Sequence, residues 1–389
     1  MHSAEQENFV SYDPKFDGLK IFVADISLLR TGDVLLTRNR MTTSLNDRRQ
    51  ADIISVLSGG NFSHALLCTG SPTFIEAVGL GVSNLSLQNC YAHNLTDVRL
   101  LRHHDDSIAS AAGNWALTRL GQNYSVRLAF ESILPSKIVP REDRGTFCSA
   151  LVATAYRAVG AREFADSDPL KITPATLEHS SCFHDVTNTV FKQILAPRNA
   201  ERMSALDGDR SPSPVSEQAF IHAEIYAAIF SKIHDIVLRY NLPGNKIPDT
   251  FMDVLLFIVE LRKVGKYRDA PQEFQRDIDL LDVLLREAMS RSRLEMMLYE
   301  SIKADDNYLE RTIRESFDSK PDLDVESLRS MLKATMDQIA RRGSIMDNAD
   351  YPRGLSQAWD LWLDLTERSL SAFAVRRQVL EETISRLRA

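Results

Sequence analysis

The chain has 389 residues, 44% of them hydrophobic and 25% charged, with a formal net charge of −7. Those proportions exclude a mainly disordered chain and supply apolar material for two or three domains. No run approaches the ~18 apolar residues of a membrane-spanning helix, and without a basic block or stripe nucleic acid is not expected as the partner. Four cysteines make no disulfide framework. The polar, acidic start Met1 to Asn8 has no basic or apolar region of a secretory signal. The expectation is a reduced protein, cytoplasmic or exported by a route that needs no such signal.

In chain order, the first 200 residues read as mixed α and β. Val34 to Thr37, Ser63 to Thr69, Thr73 to Val78 and Asp97 to Leu101 are short β-rich runs bounded by turn residues. Asp106 to Leu120 is Ala-rich and predicts a helix, and Ser149 to Val159 predicts another, stopped by Gly160. All four cysteines, seven of nine histidines and 11 of 16 glycines lie here, at a net charge of −1 against −6 for the remainder.

Ala205 to Pro214 carries the Gly, Ser, Pro and charge of a linker. Beyond it the pattern is all helix. Ile221, Ile225, Ile229, Ile233 and Val237 form one apolar stripe. Phe251 to Val264, Gln272 to Ser301 and Asp324 to Arg341 follow, and a last helix carries Trp359, Trp362, Phe373 and Leu380. The expected domains are 1–200 and a helical bundle over 215–389 that buries these stripes. A partner-binding role for the bundle is the alternative.

Two elements carry candidate chemistry. Cys148 stands at the head of the second predicted helix, where unpaired N–H groups and the helix dipole favour a thiolate, the nucleophilic form. The plain alternative is a small buried residue at a helix start. Ser63 to Val78 reads as a hairpin. If its turn centres on Gly70, His64 lies opposite Glu76 on one face, a carboxylate placed to orient an imidazole. A one-residue slip would separate them, and a solvent-facing pair is the bland reading.

Cys68 reads as a small core residue. Cys90 and Cys182 lie in irregular, polar stretches, and His103-His104 before Asp105-Asp106 reads as a solvated turn. No CxxC or HExxH spacing supports zinc, no GxSxG a serine hydrolase, and no glycine-rich phosphate loop a nucleotide. No cofactor is expected.

Together these pieces resemble the circularly permuted branch of the NlpC/P60 papain-like cysteine peptidases and hydrolases, the YiiX-like proteins. The carrying motifs are Thr31-Gly32-Asp33-Val34, Phe62-Ser63-His64-Ala65, Phe74 to Val82, Gly121 to Tyr124, Phe147-Cys148-Ser149-Ala150-Leu151-Val152 and Ile172-Thr173-Pro174. They span about 30–190, and His64 precedes Cys148, the reverse of papain's order. The resemblance implies an α+β fold, a permuted papain-like domain followed by an all-α domain. It implies Cys148 as nucleophile, His64 as base, Glu76 as the polar residue on the following strand and Tyr124 as a residue lining the site. The insert Asn39 to Ser58, with Arg38, Arg40, Arg48 and Arg49, is a departure from the pattern that would shape a substrate groove.

The expected activity is hydrolysis or acyl transfer on an amide or ester through an acyl-enzyme. The resemblance implies a peptide, a peptidoglycan fragment or a lipid acyl group as substrate. Without a secretory signal, delivery as a bacterial effector competes with cytosolic amide hydrolysis. The rival reading is a non-catalytic interaction protein, a pseudoenzyme whose helical half binds a protein partner.

Overall fold

A computed structural model describes residues 18–38, 61–78, 81–122, 146–197, 203–206, 216–240, 248–263, 269–300, 325–346 and 351–388, with isolated positions between 264 and 324. The chain is α+β. In the first half the strands are β1 (Lys20–Ala24), β2 (Val34–Thr37), β3 (His64–Gly70), β4 (Thr73–Val78), β5 (Gly81–Ser86), β6 (Cys90–Tyr91), β7 (Val98–His103), β8 (Phe183–Asp185), β9 (Phe191–Leu195) and β10 (Ser204–Ala205). Its helices are α1 (Asp106–Leu117), α2 (Cys148–Ala158), α3 (Pro174–Glu178) and α4 (Thr187–Val190).

Six strands form one antiparallel sheet in the order β5-β4-β3-β2-β7-β8. Its central strands are apolar on both faces because both are covered. Val34, Leu36, Leu67 and Ile75 pack with Ala112 and Ala116 of α1 and Leu151, Val152 and Tyr156 of α2. Leu35, Leu66, Phe74 and Leu100 pack beneath Phe22, Ala24 and Phe191 of the two-stranded β1–β9 ribbon. Burial on this second face accounts for Cys68 and also for Cys90, which lies in β6 and is buried rather than set in a polar loop. Residues 204–206 belong with the first half: β10 pairs with β6, and Leu206 joins the same core.

The second half is helical: α5 (Glu217–Arg239), α6 (Phe251–Lys263), α7 (Gln272–Arg291), α8 (Val325–Met346) and α9 (Gln357–Arg388). The isoleucine stripe of α5 is buried against Val254 and Ile258 of α6, Leu281 and Leu285 of α7 and Trp359 of α9. Buried Asp282 of α7 accepts the Gln357 and Ala358 N–H groups at the start of α9 (3.0 Å each) and pairs with Arg262 (2.7 Å), so its charge is fully engaged. No helix among the described residues is long and apolar enough to cross a membrane.

The halves touch through matched polar groups. Ser216, the N-cap of α5, donates its N–H to Ser83 Oγ (2.8 Å), and Thr250 Oγ1 donates to the Thr118 carbonyl (3.0 Å). Arg119 forks onto Asp253, and Lys333 Nζ reaches the Leu29 carbonyl (2.6 Å). The backbones meet at Gly121, where an added Cβ would lie 2.9 Å from the Ala219 carbonyl oxygen.

Candidate active site

The site is assembled at the first turn of α2. Phe147 is the N-cap and offers no side-chain hydrogen bond, so the first N–H groups of the helix are not capped by a side chain. Cys148 is the first helical residue, 9% exposed. The next residue anchors the helix start: Ser149 Oγ donates to the Ile172 carbonyl (2.7 Å). Ile172 leads directly into Thr173, which caps α3 ahead of Pro174. This explains physically why Cys-Ser and Ile-Thr-Pro occur in one chain.

The Gly32-Asp33 pair forms the turn before β2 and is held by contacts to α1, β7 and α2. Gly32 has φ +89°, and a Cβ there would lie 2.3 Å from the Ala109 carbonyl oxygen of α1. Asp33, buried, receives both Nε and Nη2 of Arg102 at 2.8 Å. Tyr156 of α2 donates its hydroxyl to the Gly32 carbonyl (2.6 Å), tying the helix that Cys148 opens to this turn.

His64 opens β3. Its Nε2 lies 2.8 Å from Glu76 Oε2, and Glu76 is fully buried. The register differs from the expectation: Glu76 pairs with Leu66, not His64. The loop is Ser71-Pro72, between paired Gly70 and Thr73, with a bulge between Cys68 and Gly70, so the turn is not centred on Gly70. The offset is two residues, an even number, and therefore keeps both side chains on one face. The two groups meet diagonally.

Cys148 and His64 are electrostatic neighbours, and each shifts the titration of the other. Burial opposes charge on His64, but the Cys148 thiolate and the hydrogen bonds from Cys148 and Glu76 prevail, and its pKa rises to about 9. Burial also opposes the thiolate. His64 and the backbone N–H groups of Ala65 and Ser149 overcome it and hold the Cys148 pKa below the ordinary thiol value. Both shifts run toward a thiolate and an imidazolium, with Glu76 buried beside the ring.

Cys148, His64 and Glu76 are thus brought together, whereas Tyr124 and Asn39 to Ser58 lie outside the described residues. The Ala65 N–H is a contributor that the sequence carries no signal for, since a backbone donor has no residue signature. The other three cysteines are buried, and burial raises the thiol pKa of Cys68 and Cys182.

His103 is a correction. It ends β7 and is buried, stacked on Tyr156 at 5.2 Å, while His104 is exposed and stacks on His184. The ligand atoms of His103, Glu163 and Cys182 lie within 4.8 Å of one another. His103 Nδ1 meets both the Asp105 N–H (2.9 Å) and the Asp105 carbonyl (3.1 Å), so the backbone of Asp105 holds the ring in either tautomer.

Comparison of the chain with protein-family models, curated proteins and solved structures finds no match. The functional reading therefore rests on the residues and their geometry.

Proposed function

We propose that the chain is a cysteine-dependent hydrolase or acyltransferase, its first half a permuted papain-like domain, working through an acyl-enzyme on Cys148. The observation that carries this reading is the juxtaposition of a thiol at a helix N-terminus, an imidazole and a buried carboxylate.

In this reading the Cys148 thiolate attacks the carbonyl carbon of an amide or ester. The C–S bond forms as the carbonyl π pair moves onto oxygen. The N–H of Cys148 at the helix start serves as an oxyanion donor. Collapse of the tetrahedral intermediate expels the amine or alcohol, which takes its proton from the His64 imidazolium. The neutral imidazole then removes a proton from water or an acceptor nucleophile, whose attack cleaves the thioester and restores the ion pair. Water as acceptor gives hydrolysis; another nucleophile gives acyl transfer. Glu76 holds the ring and stabilises its charged form without touching the substrate.

The resemblance favours a peptide, a peptidoglycan fragment or a lipid acyl group as substrate. The test is labelling by an electrophilic acyl-type thiol probe, followed by mass-spectrometric screening of peptidoglycan peptides and lipid extracts. Label on Cys148 that is lost in His64→Ala, with turnover lost in Cys148→Ala, is the expected result. Turnover that persists in Cys148→Ala would overturn the proposal.

A further inference from the structure

A cavity of about 400 Å³ opens at the junction of the two halves, and neither Cys148, His64 nor Glu76 lines it. Its walls come from both halves: Thr73 of β4, Asn84 of β5 and the end of α1 on one side, α5, α6, α8 and α9 on the other. Its volume lies in the range of small-molecule sites.

Its polar lining is unusual. His222 of α5 is 2% exposed, and among the described residues neither ring nitrogen has a hydrogen-bond partner. On α9, Trp362 Nε1 and Ser369 Oγ are also buried and unpartnered. Buried polar atoms are nearly always satisfied, and one left alone carries its desolvation cost with nothing to offset it. All four belong to residues that line this space, so a polar ligand that entered it and drew these side chains inward would satisfy them.

The charge around the cavity decides the sign of that ligand. Arg341 and Arg342 of α8 line it, and among the described lining residues there is no carboxylate. Burial lowers the pKa of Arg342 to about 9, with Arg341 beside it adding to the shift. Burial likewise lowers His222 to about 4, so it is neutral and offers one N–H. Imidazole N–H, indole N–H, hydroxyl and guanidinium are all donors to an oxyanion. Leu117, Leu120, Met252 and Leu256 supply apolar wall beyond them.

We propose that the junction cavity binds a small organic oxyanion with an apolar body, a carboxylate or phosphate monoester, its charged end held by Arg342, His222, Trp362 and Ser369. The site is independent of the acyl-transfer chemistry, and its occupancy would tie the helical half to the strands that carry Thr73 and Asn84.

The experiment is isothermal titration of the full chain with phenyl phosphate and octanoate, against inorganic phosphate and octanol as head-only and body-only probes. The two organic anions distinguish a phosphate from a carboxylate head. At least one of them should bind with 1:1 stoichiometry, about tenfold or more tighter than either control, and Arg342→Gln should weaken it about tenfold, the order of one charge-assisted hydrogen bond. Ser369→Ala should weaken the same binding yet raise the thermal midpoint of the ligand-free protein, because it removes an unpartnered buried hydroxyl. Cys148→Ala should bind as wild type, which separates failure here from failure of the catalytic reading. No binding of either organic anion, equal binding of inorganic phosphate, or a lowered midpoint in ligand-free Ser369→Ala, the signature of a hydroxyl satisfied by ordered water only, would each overturn the proposal.

Discussion

His64 Nε2 and Glu76 Oε2 stand 2.8 Å apart although their residues are not paired across the hairpin; Glu76 faces Leu66 on β3 and Ser83 on β5. A diagonal contact of this kind depends on both strands keeping their register. The carboxylate is fully buried, so it is costly without the imidazolium beside it.

Glu76→Gln keeps a hydrogen-bonding group and removes the charge. The His64 pKa should then fall from about 9 and the ion pair should be less populated. Removing the analogous carboxylate of a serine triad costs about 10⁴-fold. A smaller loss is expected here, because a cysteine needs less help from its base. Measured as the iodoacetamide rate at pH 6, Glu76→Gln should be slower than wild type and His64→Ala slower still. The double variant should be little worse than His64→Ala, as the two residues act as a unit. Additive losses in a folded double variant would show that they act separately.

Cysteine selectivity follows from burial and charge. Burial raises the thiol pKa of Cys68 and Cys182, whereas that of Cys148 is lowered by His64 and two backbone N–H groups acting against burial. Brief alkylation of the native protein at neutral pH, read by peptide mapping, should place label on Cys148 first. Cys68, Cys90 and Cys182 should react only after denaturation. Early label on Cys182 would contradict the assignment.

The Gly32 turn should be intolerant of any side chain. Gly32→Ala would force a Cβ to 2.3 Å from the Ala109 carbonyl oxygen at a φ of +89°. Strain at such a position costs on the order of 1–3 kcal/mol, and displacing α1 adds to it. Urea unfolding should show a loss of at least about 2 kcal/mol, whereas Gly160→Ala, where a Cβ meets nothing within 4 Å, should cost less. Equal effects would mean that the close approach to α1 is not a constraint.

Much of this arrangement was legible in the sequence, and the reasons differ by element. The α5 isoleucine stripe and the start of α2 are local patterns, and they stand as expected within a residue or two. The hairpin strands were legible, but their pairing was not, because a two-residue Ser71-Pro72 loop combined with a bulge has no simple signature. Strands β1 and β9 were missed because each completes its hydrogen bonds with a segment far along the chain, Lys20 with Leu195. The burial of Cys90, Cys182 and His103 has the same origin: polar neighbours in sequence say little about a position covered by distant elements.

His222 predicts an acid-labile fold. Burial lowers its pKa from 6.5 to about 4, so between those values the unfolded chain binds a proton that the folded chain does not. The contribution of His222 is complete above pH 6.5 and is lost as pH falls towards 4, by up to about 3 kcal/mol. His222→Phe should flatten the stability profile between pH 4 and 6.5 in urea titrations. An unchanged profile would place the acid sensitivity elsewhere.

The central claim is that His64 holds Cys148 as a thiolate, and the pH profile of Cys148 alkylation tests it most directly. In wild type the rate should be on a plateau through neutral pH and fall only in acid. In His64→Ala it should rise with pH through the ordinary thiol range near ~8.5. A wild-type profile that rises only near ~8.5 and coincides with that of His64→Ala would contradict the ion pair and the mechanism built on it.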